Sequence, residues 1–452
     1  MAETMNPWIA QWYEENGPRA CALMHDIWAH PELGLEEEYA SRAVGAYMAE
    51  QGFQVELRSA EQFDKPDARP NTVIATWGEG KPVIGILGEL DALPGLGQQA
   101  VPYPAPIEGP GHGCGHNLMA GGAASAAAAL KYAMEKEHLT GTVRMVGCPA
   151  EEIGRGRVVL VKDGVFDGMD IALAWHPRQA PFDFDDWQSL ANNHILFEFH
   201  GIAAHAKASP WSGRSALDSA QLMNMAVEFQ REHNTRDCRV HYIFRNGGRA
   251  PNVVPDYSAV YYYIRALNEH IDELTEKVVN AAKGAAIMMG TTVDYTVESA
   301  VRGSQPNTTL NQHVYRAALK IPRLTYTPEE YAYARSVMEH ITGEKAPEDN
   351  ELVLATAIQE PTGHVRQLKG STDVSEVTRI LPTCHFFGGG RCVGMPSHHW
   401  GVTALTGTSI GEKTSIYAHK IIAQAALDAL RQPELIDACW DEFHRRQAGT
   451  WK

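Results

Sequence analysis

The segment GHGCGHN, Gly111–Asn117, sets His112, Cys114 and His116 at alternate positions of a glycine-rich turn. Glycine lets a backbone turn tightly enough for alternate side chains to face one point. Thiolate and imidazole are ligands for zinc-like ions, although the same pattern also fits a reactive or simply buried cysteine in a turn. The segment PAEEIGRG adds two adjacent carboxylates, Glu151 and Glu152. At a strand end neighbouring side chains diverge, so one carboxylate can bind a cation while the other takes a proton from water. The alternative is a charged pair at a helix N-terminus, where the dipole favours negative charge. His176 in AWHP and the pair His398 and His399 in PSHHW are further imidazoles, each open to a packing role instead. Asp91 in ELDALP either orients a metal-binding imidazole from behind or opens the turn before Pro94. Each element is ambiguous alone. Together, Cys114, His116, Glu152, His176 and His398 offer ligands in excess of a closed four-ligand structural site, and Glu151 offers a base. A thiolate or carboxylate bridging two ions would create a paired site able to polarise a carbonyl and activate water near neutral pH.

These residues need a scaffold that collects strand ends. Thr72–Trp77, Val83–Leu87, Thr142–Val146 and Asp170–Ala174 read as short, apolar, β-branched strands, and Leu118–Lys136 reads as a helix whose Ala-rich first half can pack closely on a sheet. Trp8–Met48 reads as two amphipathic helices around the turn HPELG, and Gln98–Gly111 as a long Pro/Gly-rich loop. The βα alternation predicts an α/β domain with ligands at the carboxyl ends of its strands. From His194 the order changes to strand, helix (Ala216–His233), two strands, helix (Ile271–Met289), strand, a βαββαβ pattern of ferredoxin-like type. The expected architecture is therefore a discontinuous mixed-sheet catalytic domain with flanking helices, residues 1–188 and 304–452, and an inserted α+β ferredoxin-like domain, residues 189–303. The last element expected is the helix Thr414–Leu430, and no role is assigned beyond Arg431.

Composition narrows the function class. The 452 residues suffice for more than one domain, and a net charge of −16 argues against broad binding to nucleic acid or an anionic membrane surface. The seven cysteines are odd in number and irregularly spaced, which predicts free thiols in a reducing cytoplasm. The N-terminal residues lack the basic start and apolar run of a signal peptide, and no stretch reaches membrane-span length.

The segments HPELG, GELDALPGLGQ, GHGCGHN, PAEEIGRG, AWHP, GIAAHAKASPWSGRSALD, APNVVPD, YYYIRA, GSTDVSEV and GMPSHHW, in this order, resemble the aminoacylase/carboxypeptidase-G type of di-metal peptidases and amidohydrolases. Within that family they are similar to the branch of the B-type aminobenzoyl-glutamate hydrolase subunit. The resemblance implies a metal-dependent amidohydrolase acting on an N-acyl or N-aroyl amino acid or a small dipeptide. It implies two divalent ions per subunit, zinc or manganese, with cobalt or nickel also compatible. Cys114 resembles the bridging ligand, His116, Glu152, His176 and His398 the terminal ligands, and Glu151 the general base. His205 resembles a histidine that reaches the active site of a partner subunit in a homodimer formed through the lid, and there stabilises an oxyanion. Asn252 and Arg265 resemble binders of a substrate carboxylate. Many relatives carry histidine two residues before Asp91; Glu89 stands there, and His116 takes over that ligand. The adjacent His398 and His399 compete for the last ligand position, with the first favoured by spacing and His399 facing substrate. Trp187, Tyr242 and Trp400 are candidates for shaping the acyl pocket. Three other functions share this residue set: an aminohydrolase releasing ammonia, a non-catalytic subunit of a larger hydrolase, and a zinc-stabilised binding protein.

Overall fold

A computed structural model describes residues 4–62, 68–368 and 370–449. In chain order, helices α1 (Pro7–Ala29) and α2 (Glu38–Glu50) precede strands β1 (Gln54–Arg58), β2 (Thr72–Glu79) and β3 (Val83–Glu89). Then come α3 (His116–Glu137), β4 (Gly141–Cys148), α4 (Gly156–Lys162), β5 (Ile171–Arg178) and β6 (Asp186–Gln188). The middle of the chain forms β7 (Ala191–His200), α5 (Ala216–Gln230), β8 (Arg239–Asn246), β9 (Tyr257–Ala266), α6 (Ile271–Met289) and β10 (Thr292–Val301). The remainder forms α7 (Thr308–Ala318), α8 (Pro328–Thr342), β11 (Val365–Gln367), α9 (Val374–Thr378), β12 (Thr383–Gly390), α10 (Trp400–Thr406), α11 (Ser409–Leu430) and α12 (Pro433–Gln447).

The chain divides into two compact units. The first comprises residues 1–187, 305–366 and 377–452 and is built on a six-stranded sheet of order β1-β2-β4-β3-β5-β12. β1 and β2 run antiparallel to their neighbours, whereas β4, β3, β5 and β12 are mutually parallel. Four carboxyl ends therefore meet at one edge of the sheet, where open α/β sheets gather their ligands. Parallel strands covered on both faces become apolar throughout, and every residue of β3 is buried. α3 is buried continuously from His116 to Leu130. Its alanines keep it thin enough to pack between α1, α11 and the sheet within one apolar core. At Gly122 the fit leaves no room for a side chain, because a Cβ there would lie 2.1 Å from His419 of α11.

The second unit, residues 188–304 with 367–376, is a four-stranded antiparallel sheet of order β10-β7-β9-β8. With α5 and α6 inserted in the chain order, this is the ferredoxin-like split pattern, and both helices bury their apolar faces on the sheet. The segment 367–376 is carried with it by backbone bonds, Leu190 N–H to the Gly370 carbonyl at 3.3 Å and Leu368 N–H to the Gln188 carbonyl at 2.9 Å. Two differences from the sequence reading concern lengths. His176, expected just past a strand, lies inside β5, and a further helix, α12, follows α11. Among the described residues no helix is long and apolar enough to cross a membrane.

Candidate metal centre at the strand ends

The turn before α3 is shaped by Gly115, whose φ of 92° a side chain rarely adopts and whose Cβ would press within 2.9 Å of Pro177. That turn delivers Cys114 and then His116, the first residue of α3, to the carboxyl end of β3. Glu151 and Glu152 follow β4, His176 lies near the end of β5, and the loop after β12 supplies His398. One donor atom from each of Cys114, His116 and His176 lies within 4.8 Å of the other two, and the same holds for Cys114, Glu152 and His398. A third such group joins Glu89, His116 and Glu151. Cys114 is thus common to two adjacent ligand groups.

Hydrogen bonds settle how the imidazoles present themselves. His116 Nδ1 lies 3.0 Å from Asp91 Oδ1. A carboxylate only accepts, so Nδ1 carries the proton and donates it, and Nε2 points into the cluster. His176 donates Nδ1–H to the Pro177 carbonyl at 2.8 Å, which turns its Nε2 to within 3.3 Å of Cys114 Sγ. Asp91 also accepts the Glu152 N–H through its other oxygen at 2.9 Å, so one carboxylate orients two of the candidate ligands. Beneath this shell, Glu37 accepts the Ala150 N–H at 2.6 Å. Burial, then the nearby Asp91 charge, pushes the Glu37 carboxyl up to about 9.

The electrostatics fit a cation. Burial opposes ionisation of Cys114, yet the positive charges of His176, Arg391 and His116 hold its thiol well below the usual range. Burial likewise opposes a charged His116, but Glu89, Cys114 and Asp91 overcome it and keep the ring protonated well above its ordinary value. Glu152 is pushed well above the carboxylate range by burial and then by the Cys114 charge. For Glu89 burial is outweighed by His116 and Arg157, so it stays ionised. His116 Nε2 and Glu89 Oε2 approach to 2.9 Å, but not along a hydrogen-bonding direction, and both are buried and without a hydrogen-bond partner among the described residues. Glu152 Oε1 is in the same position. Buried polar atoms left in this state are costly. A divalent ion held by Cys114, His116 and His176 would use His116 Nε2 in place of its proton, and one held by Cys114, Glu152 and His398 would engage Glu152. Thiolate, imidazole and carboxylate donors with open positions match such an ion.

The remaining predicted residues are placed as follows. His398 has a φ of 53°, unusual for a non-glycine residue, and its exposed ring reaches Glu152 Oε2 at 3.3 Å. His399 instead caps α10, its Nδ1 accepting the Gly401 N–H at 3.3 Å. His112 sits in the turn but is not in the cluster: it is buried against the Ile27 carbonyl at 3.2 Å, and burial pushes its ring down to about 3. In the second unit His205 is exposed, its Nδ1 accepting the Lys207 N–H at 3.3 Å, and it bridges to Val253 beside Asn252. Arg265 in β9 donates to Ser371 at 3.0 Å and lies over Tyr263. The sequence reading missed Arg157, which pairs with Glu89 at 3.0 Å in full burial, and Arg391, which donates to the Cys114 carbonyl and to its Sγ. Arg391 follows a strand end just as the ligands do, and that position was the available signal.

Comparisons with known proteins establish the family of the chain. A model of peptidase family M20/M25/M40 matches residues 85–401. The chain is 36% identical over 456 residues to the B-type p-aminobenzoyl-glutamate hydrolase subunit of Escherichia coli (strain K12), covering 96% of this chain and 93% of that protein. It is 28% identical over 454 residues to the Xaa-Arg dipeptidase of Homo sapiens, covering 96% and 91% respectively. A dinuclear metal-binding peptidase of the M20 family from Bacillus subtilis shares the fold, with a TM-score of 0.59 at 19% identity over 92% of this chain and 99% of that one. The chain therefore belongs to peptidase family M20/M25/M40 and is a hydrolase of amide bonds.

Proposed function

We propose that the chain hydrolyses the amide bond of an N-acyl or N-aroyl amino acid or a small dipeptide, with two divalent ions held by Cys114, His116, Glu152, His176 and His398. The observation that carries this reading is one thiolate shared by two ligand groups, with Glu151 beside His116. When bound, the ion pair supplies positive charge that polarises the scissile carbonyl and acidifies a water. Glu151 takes the proton of the attacking water on a carboxylate oxygen and returns it to the leaving nitrogen. Asp91 retains the His116 Nδ1 proton throughout, so that Nε2 remains a lone-pair donor. A thiolate among imidazoles favours zinc, and manganese, cobalt or nickel accept the same donors. The names of the two relatives, an aroyl-glutamate hydrolase and a dipeptidase, support an amino-acid amide as the substrate class.

Residues 1–188 and 304–452 would act as the catalytic domain and 189–303 as a lid, with Asn252, Arg265 and His399 receiving substrate groups. His205 would stabilise the oxyanion in a partner subunit of a homodimer. Support for pairing through the second unit comes from its edge strand β8, which exposes Ile243 and Phe244, and from Met225 and Phe229 exposed on α5. Seven free thiols support a reducing, cytoplasmic setting. The test is elemental analysis of the purified chain together with a screen of N-acyl and N-aroyl amino acids, products being identified by mass spectrometry. Two ions per chain and release of a free amino acid are expected. Ammonia as the only product, or a fully loaded chain that turns over none of these amides, overturns the reading.

A further inference from the structure

β5 carries a second functional side chain past its ligand. Alternate strand residues share a face, so Arg178 stands on the same side as His176. The Arg178 guanidinium carbon lies 4.5 Å from the ring centroid of Trp187 and 5.6 Å from that of Phe387. Phe387 is the residue opposite His176 in the β5–β12 pairing, and the two ring centroids are 6.2 Å apart. Trp187 and Phe387 meet edge to face at 77°. One aromatic ring is therefore shared by a candidate metal ligand and a guanidinium.

The cations near this corner differ in how they are compensated. Arg366 is paired with Asp183 at 3.3 Å and Asp185 at 2.8 Å. Arg391 is engaged by Cys114. Arg178 is half-buried and makes no ion pair among the described residues; the Asp183 charge favours it, but Asp183 is itself paired with Arg366. A guanidinium keeps its charge under all ordinary conditions and presents its donors in a fixed fork. Stacking on two rings fixes that fork without using any of its donors. With Asp183 already taken by Arg366, the donors of this half-buried fork are left to solvent, and an anion arriving there would gain charge-assisted hydrogen bonds.

We propose that Arg178 is the catalytic unit's receptor for a substrate carboxylate, held ready by Trp187 and Phe387 beside His176. The proposal rests on the amidohydrolase reading above and narrows it to amides that carry a carboxylate near the scissile bond. One guanidinium fork reads one carboxylate, so neutralising that carboxylate alone is the diagnostic change.

The test compares N-benzoyl-glutamate with its two monoamides, in which one or the other carboxylate is made neutral. Turnover is measured on the metal-loaded wild type, on Arg178→Gln and on Arg178→Lys, and equilibrium binding by calorimetry on the same three chains carrying Glu151→Gln as well, which slows consumption of the ligand. In the wild type, neutralising the carboxylate read by Arg178 should lower kcat/KM and affinity roughly 10- to 100-fold, the worth of a hydrogen bond to a charged group. Arg178→Gln should lose that discrimination and leave the other unchanged, with metal content equal to wild type. Arg178→Lys, which keeps the charge without the fork, should retain part of it. Equal losses on all three compounds, or discrimination unaltered in both variants, overturns the proposal. A loaded wild type that binds the diacid more tightly than a monoamide but hydrolyses none of them would sink the amidohydrolase reading alone.

Discussion

The two units hold their candidate functional residues in opposite ways. In the first, Cys114 and His116 are buried, His116 and His176 have their ring orientation set by an acceptor at Nδ1, and Asp91 ties His116 to Glu152. In the second, His205 and Asn252 are exposed, and among the described residues the His205 ring is held by backbone N–H groups of its own turn. Such burial suits a small, highly charged guest, because a low dielectric strengthens every ligand bond and fixed orientation removes the reorganisation cost. Exposure suits a larger guest that arrives from solution or from another subunit. The candidate ligands of the first unit all come from that unit, whereas the exposed residues of the second are available to a substrate or another subunit.

Chemistry should separate from metal binding most sharply at Glu151. Glu151→Gln is expected to keep both ions and lower kcat by roughly 10²- to 10⁴-fold, the contribution of a positioned base. Near-wild-type turnover would remove Glu151 from the mechanism, and loss of both ions would make it a ligand. A smaller effect, roughly 10²- to 10³-fold in kcat, is expected for His205→Ala, again with metal retained. If His205 serves a neighbour, mixing the Glu151→Gln and His205→Ala chains under exchange conditions should restore about a quarter of wild-type activity, since half of the dimers are mixed and each has one intact site. No recovery on mixing would place the histidine's action within its own chain.

Acid should expose the same contrast through His419, in the layer that backs α3. Its Nδ1–H donates to the Ser415 carbonyl at 2.8 Å, and burial pushes its ring down to about 4 from an ordinary 6.5. The unfolded chain binds this proton below 6.5 and the folded chain does not until about 4, so stability is fully present above that window and lost as pH falls through it. The loss attributable to this ring is at most about 3 kcal/mol. Urea unfolding of the metal-stripped chain at stepped pH, compared with His419→Gln, should show a shallower pH slope in the variant. Equal slopes would mean that His419 is solvated or already charged in the folded state.

Much of this was readable because it is local. Strand ends, glycine turns and the residues that follow them lie within a few positions of one another, so Asp91, Cys114, Glu152 and His176 could be read as candidates from the sequence, and Ile271–Met289 was bounded correctly by its apolar period. The unread parts depend on partners distant in sequence. The sequence assigns no role beyond Arg431, yet α12 there has a buried Glu442 that accepts the Thr308 and Thr309 N–H groups at 2.7 and 2.8 Å, capping α7. Arg391 went unread because the thiol it touches is 277 residues away. Neither periodicity nor turn chemistry encodes such a pairing.

The smallest effect expected is at Asp91, and it tests whether orientation alone controls the ion. One Asp91 oxygen takes the His116 Nδ1–H at 3.0 Å and the other takes the Glu152 N–H at 2.9 Å. An amide has a single acceptor oxygen, so Asp91→Asn must give up one of these bonds. If the oxygen stays with His116, the backbone of Glu152 loses its anchor. If the NH₂ turns to His116, Nδ1 must become an acceptor and the proton moves to Nε2, which then cannot ligate. Either outcome should weaken metal binding roughly 10- to 100-fold, as for other outer carboxylates behind a ligating imidazole. Competition with a chelator of known affinity reads this directly, without turnover. His205→Ala should leave that titration unchanged. An Asp91→Asn chain that binds metal like wild type would mean that burial and ligand charge suffice, and the difference drawn between the two units would then rest on exposure alone.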